Sequence, residues 1–236
     1  MAADALTAAA VAVAFAGFVQ GTTGMGFALI LAPIFTLVAP QLVPVGLLVL
    51  MIPLNVYVAW RERGALDRPA TGWITAGRLT GTFGGVWVLA ALSARHLGVL
   101  IGASTVLAAL ASLFAPRFKP GPSAYVAAGV VTGVTETATG IGGPPLALVL
   151  QHADAPALRS TIASCFLVGE LVSLGFLAIA GHATTAQLRT AVILLPALAV
   201  GGLLSHLVHA HVGGRVLRAF VLGFAIVSGV VLLLRS

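Results

Sequence analysis

The stretch GVVTGVTETATGIGGPP, residues 129–145, sets five glycines, four threonines, one glutamate and two prolines inside otherwise apolar sequence. A weaker copy lies earlier, at residues 17–27, as GFVQGTTGMGF. Gly24 and Gly26 of the first copy stand 116 residues before Gly140 and Gly142 of the second. Apolar residues surround both copies, so their glycines and threonines interrupt what would otherwise be long hydrophobic helices. Residues 4–39 form one such stretch of 36 residues. As a straight helix it would reach about 54 Å, well beyond the ~30 Å of one bilayer crossing. Two shorter helices folded back as a re-entrant hairpin, with the glycines at the tip, fit the length.

Working outward, the repeat extends further. Gly84 and Gly85 match Gly201 and Gly202 at an offset of 117, Gly102 matches Gly223 at 121, and Pro40 matches Pro156 at 116. Ordered drift of this kind indicates duplication with small insertions, giving one repeat over residues 1–115 and another over 122–236. APRFKPGP, residues 115–122, links them. Each repeat is expected to hold a broken hairpin and three transmembrane helices, about eight hydrophobic segments in an all-α integral membrane protein.

Composition supports the membrane assignment. Hydrophobic residues make up 59% of the 236 positions and charged residues 8%, where a soluble domain carries roughly a quarter charged. Mean hydropathy is +1.11. Uncharged runs at 42–60, 97–114, 190–204 and 219–234 approach or reach spanning length. The period-two alternation of a membrane β-barrel is missing. The formal charge of +6 arises from basic residues scattered singly between apolar runs, so it points to loop anchors rather than nucleic acid. The Ala-rich start carries Asp4 and no Lys or Arg, against a cleaved signal peptide.

Loop charge gives an orientation. With a hairpin and three crossings per repeat, Arg61, Arg63, Arg68, Arg117, Lys119, Arg159, Arg215 and Arg218 fall on one side, and Arg95, Arg189 and Arg235 on the other. Full first crossings would give a weaker split, seven against four. An odd number of crossings per repeat inverts the second relative to the first, so the two hairpin tips approach from opposite faces.

Each tip then begins a new half-helix, with Thr22 or Thr23 as a cap in one and Thr139 in the other, and with Pro144 and Pro145 in a first turn. Helix N-termini present unpaired N–H groups and partial positive charge, a ready anion site. The expected lining is Gln20, Thr22, Thr23, Gly24, Met25 and Gly26 from the first tip. The second supplies Thr135, Glu136, Thr139, Gly140, Gly142 and Gly143. Simple close packing of helices is the plainer role of glycine, and Gly84, Gly85, Gly201 and Gly202 are assigned to it.

Ionisable residues in lipid are costly and usually functional. Glu136 is a candidate for coupling solute to proton movement. Glu170 is expected to pair with Arg78, the one basic residue placed within the membrane. Alternatively, Arg78 snorkels to an interface or contacts an anionic solute. Asn55 and Cys165 follow the hairpins and are candidates for the same cavity. His206, His209 and His211 lack a nearby carboxylate or thiol, so no metal site and no cofactor are expected. Trp60, Trp73 and Trp87 read as belt or packing residues. No nucleophile elbow, phosphate loop or zinc-helix signature occurs, so the chain is not expected to be an enzyme.

At GFVQGTTGMGFALILAP (17–33) and GVVTGVTETATGIGGPPLAL (129–148) the chain resembles the TauE/SafE family of bacterial membrane permeases. The likeness covers length, duplication and segment count. It implies passage or export of sulfite or an organosulfonate across a bacterial inner membrane. The expected partners are thus a small anion and the lipid bilayer, with self-association left open. The rival readings are a passive anion channel, a proton- or cation-coupled carrier of another solute using Glu136, an intramembrane enzyme, and a membrane scaffold.

Overall fold

The computed structural model describes residues 3–23, 26–114, 119–208 and 214–235. Among these the secondary structure is helical, in the order α1 (Ala3–Thr23), α2 (Phe27–Val38), α3 (Val45–Arg61), α4 (Arg68–Ala91), α5 (Ala94–Phe114), α6 (Pro122–Thr139), α7 (Gly143–Val149), α8 (Ala155–Ile179), α9 (Thr185–Val208) and α10 (Gly214–Arg235). A 3₁₀ turn at Pro40–Leu42 joins α2 to α3. The boundaries follow local chemistry. Asp67 accepts the Ala70 N–H at 3.0 Å to cap α4, and Pro stands in the first turn of α4, α6, α7 and α8.

Residues 4–22, 155–179 and 185–207 are long and apolar enough to cross a bilayer, and four shorter apolar helices accompany them. The outer surface is itself apolar: Trp87 is 72% exposed, Phe114 78% and Ile179 85%. Exposed apolar surface on this scale requires lipid rather than water around it.

Small residues set the closest approaches, as they do where lipid removes the hydrophobic drive between helices. Along α4, Gly77, Gly81 and Gly85 face Val126, Val130 and Val134 of α6, so tightly that a Cβ at Gly81 would strike the Val130 carbonyl. Gly129 and Gly133 of α6 answer with contacts to the Ile74 and Arg78 carbonyls. The numbering rises together on both helices, so α4 and α6 run parallel. Likewise Gly17 and Gly21 of α1 meet Leu198 and Ser205 of α9, and these two also run parallel. Of the four glycines assigned to packing from sequence, Gly85 and Gly201 have such contacts and Gly84 touches only Val134. Gly202 meets nothing within 4 Å, so its lack of a side chain is not explained by packing.

Two other pairs run antiparallel. Val45 and Leu48 near the start of α3 cluster with Leu177 near the end of α8, while Glu62 beyond the end of α3 binds Arg159 in the first turns of α8. In the second pair, Gly102 of α5 meets Gly229 and Leu233 of α10, and Ala109 clusters with Leu222.

The loops define two ends of the bundle. At one, Arg159 grips both oxygens of Glu62 at 3.0 Å, and the Asp67 N–H donates to the Thr161 hydroxyl at 3.2 Å. Arg61, Arg63 and Arg68 belong to this end, a cluster foreseen from loop charge. Partial burial opposes ionisation of Glu62, but hydrogen bonds from Arg159 and Arg61 outweigh it and hold the carboxyl below its ordinary value. At the opposite end the Gln187 amide donates to the Gln41 carbonyl at 2.6 Å. Because α1 runs with α9, α1 starts at the Gln41 end. Because α6 runs with α4, α6 starts at the Glu62 end.

Candidate functional site

Both glycine motifs break the helix. Gly26 adopts φ 113° and Gly140 φ 80°, a left-handed backbone that side chains resist. The arms are unequal: α1 has 21 residues and α2 12, while α6 has 18 and α7 only 7. The expectation of two half-helices per hairpin is therefore corrected to a long arm followed by a short one. At ~1.5 Å per residue the long arms reach about 31 and 27 Å.

The capping expectation also changes. Gly26 and Gly142 occupy the cap positions of α2 and α7, and neither has a side chain to cap the helix it begins. Thr22 donates back to the Phe18 and Val19 carbonyls. Thr139 donates to the Thr135 carbonyl and accepts the Ile141 N–H at 3.2 Å. α2 starts directly after the left-handed Gly26, and α7 starts after Ile141 and Gly142 follow Gly140, so both helix starts lie past the threonines. Pro144 and Pro145 do fall in the first turn of α7.

Across the first break, Gln20 reaches forward so that its amide oxygen accepts the Phe27 N–H at 3.1 Å. That N–H opens α2. Gly24, Met25 and the side chain of Thr23 lie outside the described residues, as do His209 and His211. In the second break the Thr132 hydroxyl donates to the Gly142 carbonyl at 3.1 Å. Gly142 sits against Glu136 and Thr132, with no room for a Cβ. Gly143 meets nothing within 4 Å. Gly26 neighbours Val221 of α10, whereas Gly140 neighbours Leu47 of α3. A cavity of about 530 Å³ opens beside this second break between α5, α6 and α7. Ile141, Pro144, Val131 and Leu107 line it, with Thr135 and Ser104 its polar members.

Behind the break lies a buried polar cluster. Arg78 on α4 forms an ion pair with Glu136 on α6, with 1% and 0% of the side chains exposed. The guanidinium rests over Gly169 of α8, which leaves no space for a Cβ, and stands 5.0 Å from the centre of the Phe166 ring. Glu170, the next residue on α8, is fully buried and accepts the Asn55 amide of α3 at 2.7 Å. Thr137 and Ser173 join hydroxyls at 2.7 Å nearby. Two sequence expectations are corrected here. The partner of Arg78 is Glu136, because α4 and α6 lie glycine-close and bring them together, while Glu170 turns to Asn55. Nor does Arg78 snorkel, since it lies mid-helix and wholly enclosed. Cys165 is buried against the Thr71 carbonyl and Thr75, away from the cavity lining.

Gly169, Phe166, Thr137 and Ser173 were missed from sequence. Gly169 precedes Glu170 on α8, and a glycine beside a buried acid was the available signal. Among the described residues, no group of three His, Cys, Asp or Glu converges to hold a metal.

No curated protein and no solved structure matches the chain. A family model described as Sulfite exporter TauE/SafE matches residues 9–232, nearly the whole chain and both glycine breaks within it. On that match the chain belongs to the sulfite exporter TauE/SafE family and is a membrane transporter of the anion-exporter type, not an enzyme.

Proposed function

We propose that the chain is a secondary transporter that exports a small sulfur oxyanion or organosulfonate across a bacterial-type plasma membrane. Residues 1–115 and 122–236 act as inverted repeats, each with a re-entrant hairpin. The antiparallel pairing of α3 with α8 and of α5 with α10 supports this, since these are the helices that correspond under the repeat. The hairpin reading also predicts that the start of α1 shares an end with the loop after α2, and the parallel course of α1 and α9 supports that placement.

The observation that carries the function is the pair of left-handed glycine breaks, Gly26 and Gly140, entered from opposite ends. Each starts a helix whose first N–H groups have no side-chain cap, except where Gln20 serves Phe27. The anion binds in the polar backbone around these breaks, with Gln20, Thr22, Thr135 and Thr139 adjoining. Glu136, held by Arg78, acts behind the site rather than on the anion. Alternating access comes from one repeat rocking against the other.

Purified protein in liposomes, loaded with labelled sulfite, methanesulfonate or thiosulfate, tests this. The expected result is saturable flux of at least one anion, stimulated by the same anion on the opposite side and removed by Gly140→Val. Absence of saturable flux for all three overturns the proposal, and flux without trans-stimulation makes the protein a channel.

A further inference from the structure

The cluster behind the second break is one charge out of balance. It contains one guanidinium and two carboxyl groups, Glu136 and Glu170, each essentially without exposure. Arg78 is committed to Glu136 through one nitrogen, and its Nε and Nη1 have no partner. Glu170 Oε1 accepts from Asn55, while Glu170 Oε2 and Glu136 Oε1 have none. An uncompensated carboxylate in such a place is strongly disfavoured even after relaxation. Among the described residues, the neighbours of Glu170 do not supply a second cation. α3 brings Asn55, α4 brings Arg78, α6 brings Glu136 and Thr137, and α8 itself brings Cys165 and Ser173.

We infer that Glu170, enclosed by α3, α4, α6 and α8 beside the Arg78–Glu136 pair, is a proton-binding site that couples anion movement to proton movement. This inference rests on the transport reading above. With Arg78 on Glu136, Glu170 holds a proton on Oε2 and the cluster is neutral. When the guanidinium turns to Glu170, that proton leaves and one is taken up by Glu136, so the net charge is unchanged. The turn is short because Gly169 seats the guanidinium on the α8 backbone next to Glu170, with two donor nitrogens already free. The Glu170 O–H breaks and its proton goes to water on one face, an O–H forms on Glu136 with a proton from water on the other face, and no other bond changes. Asn55 holds Glu170 Oε1 in both states. Glu136, abutting Gly142 at the break, transmits the exchange to the anion's site.

Infrared difference spectroscopy on the purified protein in lipid tests the site without needing a substrate. A protonated-carboxyl C=O band, shifted by deuterium exchange and by Asn55→Leu, is expected in the wild type. It should vanish in Glu170→Gln, and in Glu136→Gln too, because Arg78 is then released to Glu170 and holds it ionised. A wild type with no such band, or a band that survives Glu170→Gln, overturns the inference. In liposomes carrying methanesulfonate, whose flux itself carries no proton, Glu170→Gln should keep anion counterflow within about twofold and lose accompanying proton movement. Retained proton movement in that variant also overturns it. Failure of every anion to move would sink the transport reading, whereas the infrared band would still decide whether Glu170 holds the proton.

Discussion

Replacing Arg78 by Met keeps a long unbranched stem to fill the space between Phe166 and Gly169, and it removes the cation. What remains is Glu136, fully buried, with Oε1 already unpartnered and Oε2 deprived of Arg78. Removing one member of a buried pair typically costs about 3–5 kcal/mol, because the other charge is left uncompensated. The same reasoning says that removing both members costs much less. Arg78→Met with Glu136→Met should therefore recover most of the loss, a coupling of roughly 2 kcal/mol or more between adjacent sites. The destabilisation of the single variant should also shrink in acid, since protonating the orphaned carboxylate removes its charge. Reversible unfolding in mixed micelles, followed by helical circular dichroism for wild type, single and double variants, measures all three quantities. A single variant within about 1 kcal/mol of wild type, or a double variant as unstable as the single, would refute the buried pair as the source of the effect.

Gly81→Leu should drive α4 from α6 through the Val130 carbonyl and cost about 3 kcal/mol or more, whereas Gly175→Ala, which meets nothing within 4 Å, should be neutral; yield of monodisperse protein distinguishes them. In a Cys165→Ala background, Ala5→Cys and Gln41→Cys should react with an impermeant maleimide from one face of the membrane, and Ser123→Cys and Asp154→Cys from the other. Opposite-face labelling of positions 5 and 41 would exclude a re-entrant first hairpin. Glu62 has a depressed folded value, so its contribution is present above the ordinary carboxyl value of 4.5 and lost as pH falls through the folded value. Glu62→Gln should flatten that acid-dependent loss in a thermal unfolding series, at a cost near neutrality of about 1 kcal/mol or less.

Membrane residence and the two helix breaks were legible in the sequence because hydropathy and glycine act locally. A run of apolar residues has few options in water, and a left-handed turn has few residues that will take it. The basic residues at 61, 63, 68 and 159 gave their common end for the same reason: loop charge is a one-dimensional signal. Pairing inside the bundle was not legible. Arg78 has two acids in reach, and the choice of Glu136 over Glu170 depends on how closely α4 approaches α6. That approach is set by Gly77, Gly81, Gly129 and Gly133 acting together across two distant segments. The helix starts were misjudged because a threonine reads as a cap in sequence, but here Gly26 and Gly142 take that place.

An inverted duplication on its own gives two access states of equal energy, because rocking one repeat against the other exchanges identical surroundings. Direction and coupling must come from residues that the duplication no longer shares. Under the proposed duplication, those differences collect around the second break. Gln20, at an offset of 116 from Glu136, is neutral and spends its oxygen on the Phe27 N–H, whereas Glu136 is drawn to Arg78. At an offset of 117 from Arg78, α9 carries Leu195. Asn55 and Glu170 are 115 residues apart, one short of the offset of the glycine motifs, and meet where antiparallel α3 and α8 cross. Positions one residue from exact correspondence meet there as an amide and an acid. The charged trio, Arg78 from the first proposed repeat with Glu136 and Glu170 from the second, therefore has no symmetric counterpart. On the transport reading it can lower one access state relative to the other by an amount that depends on protonation.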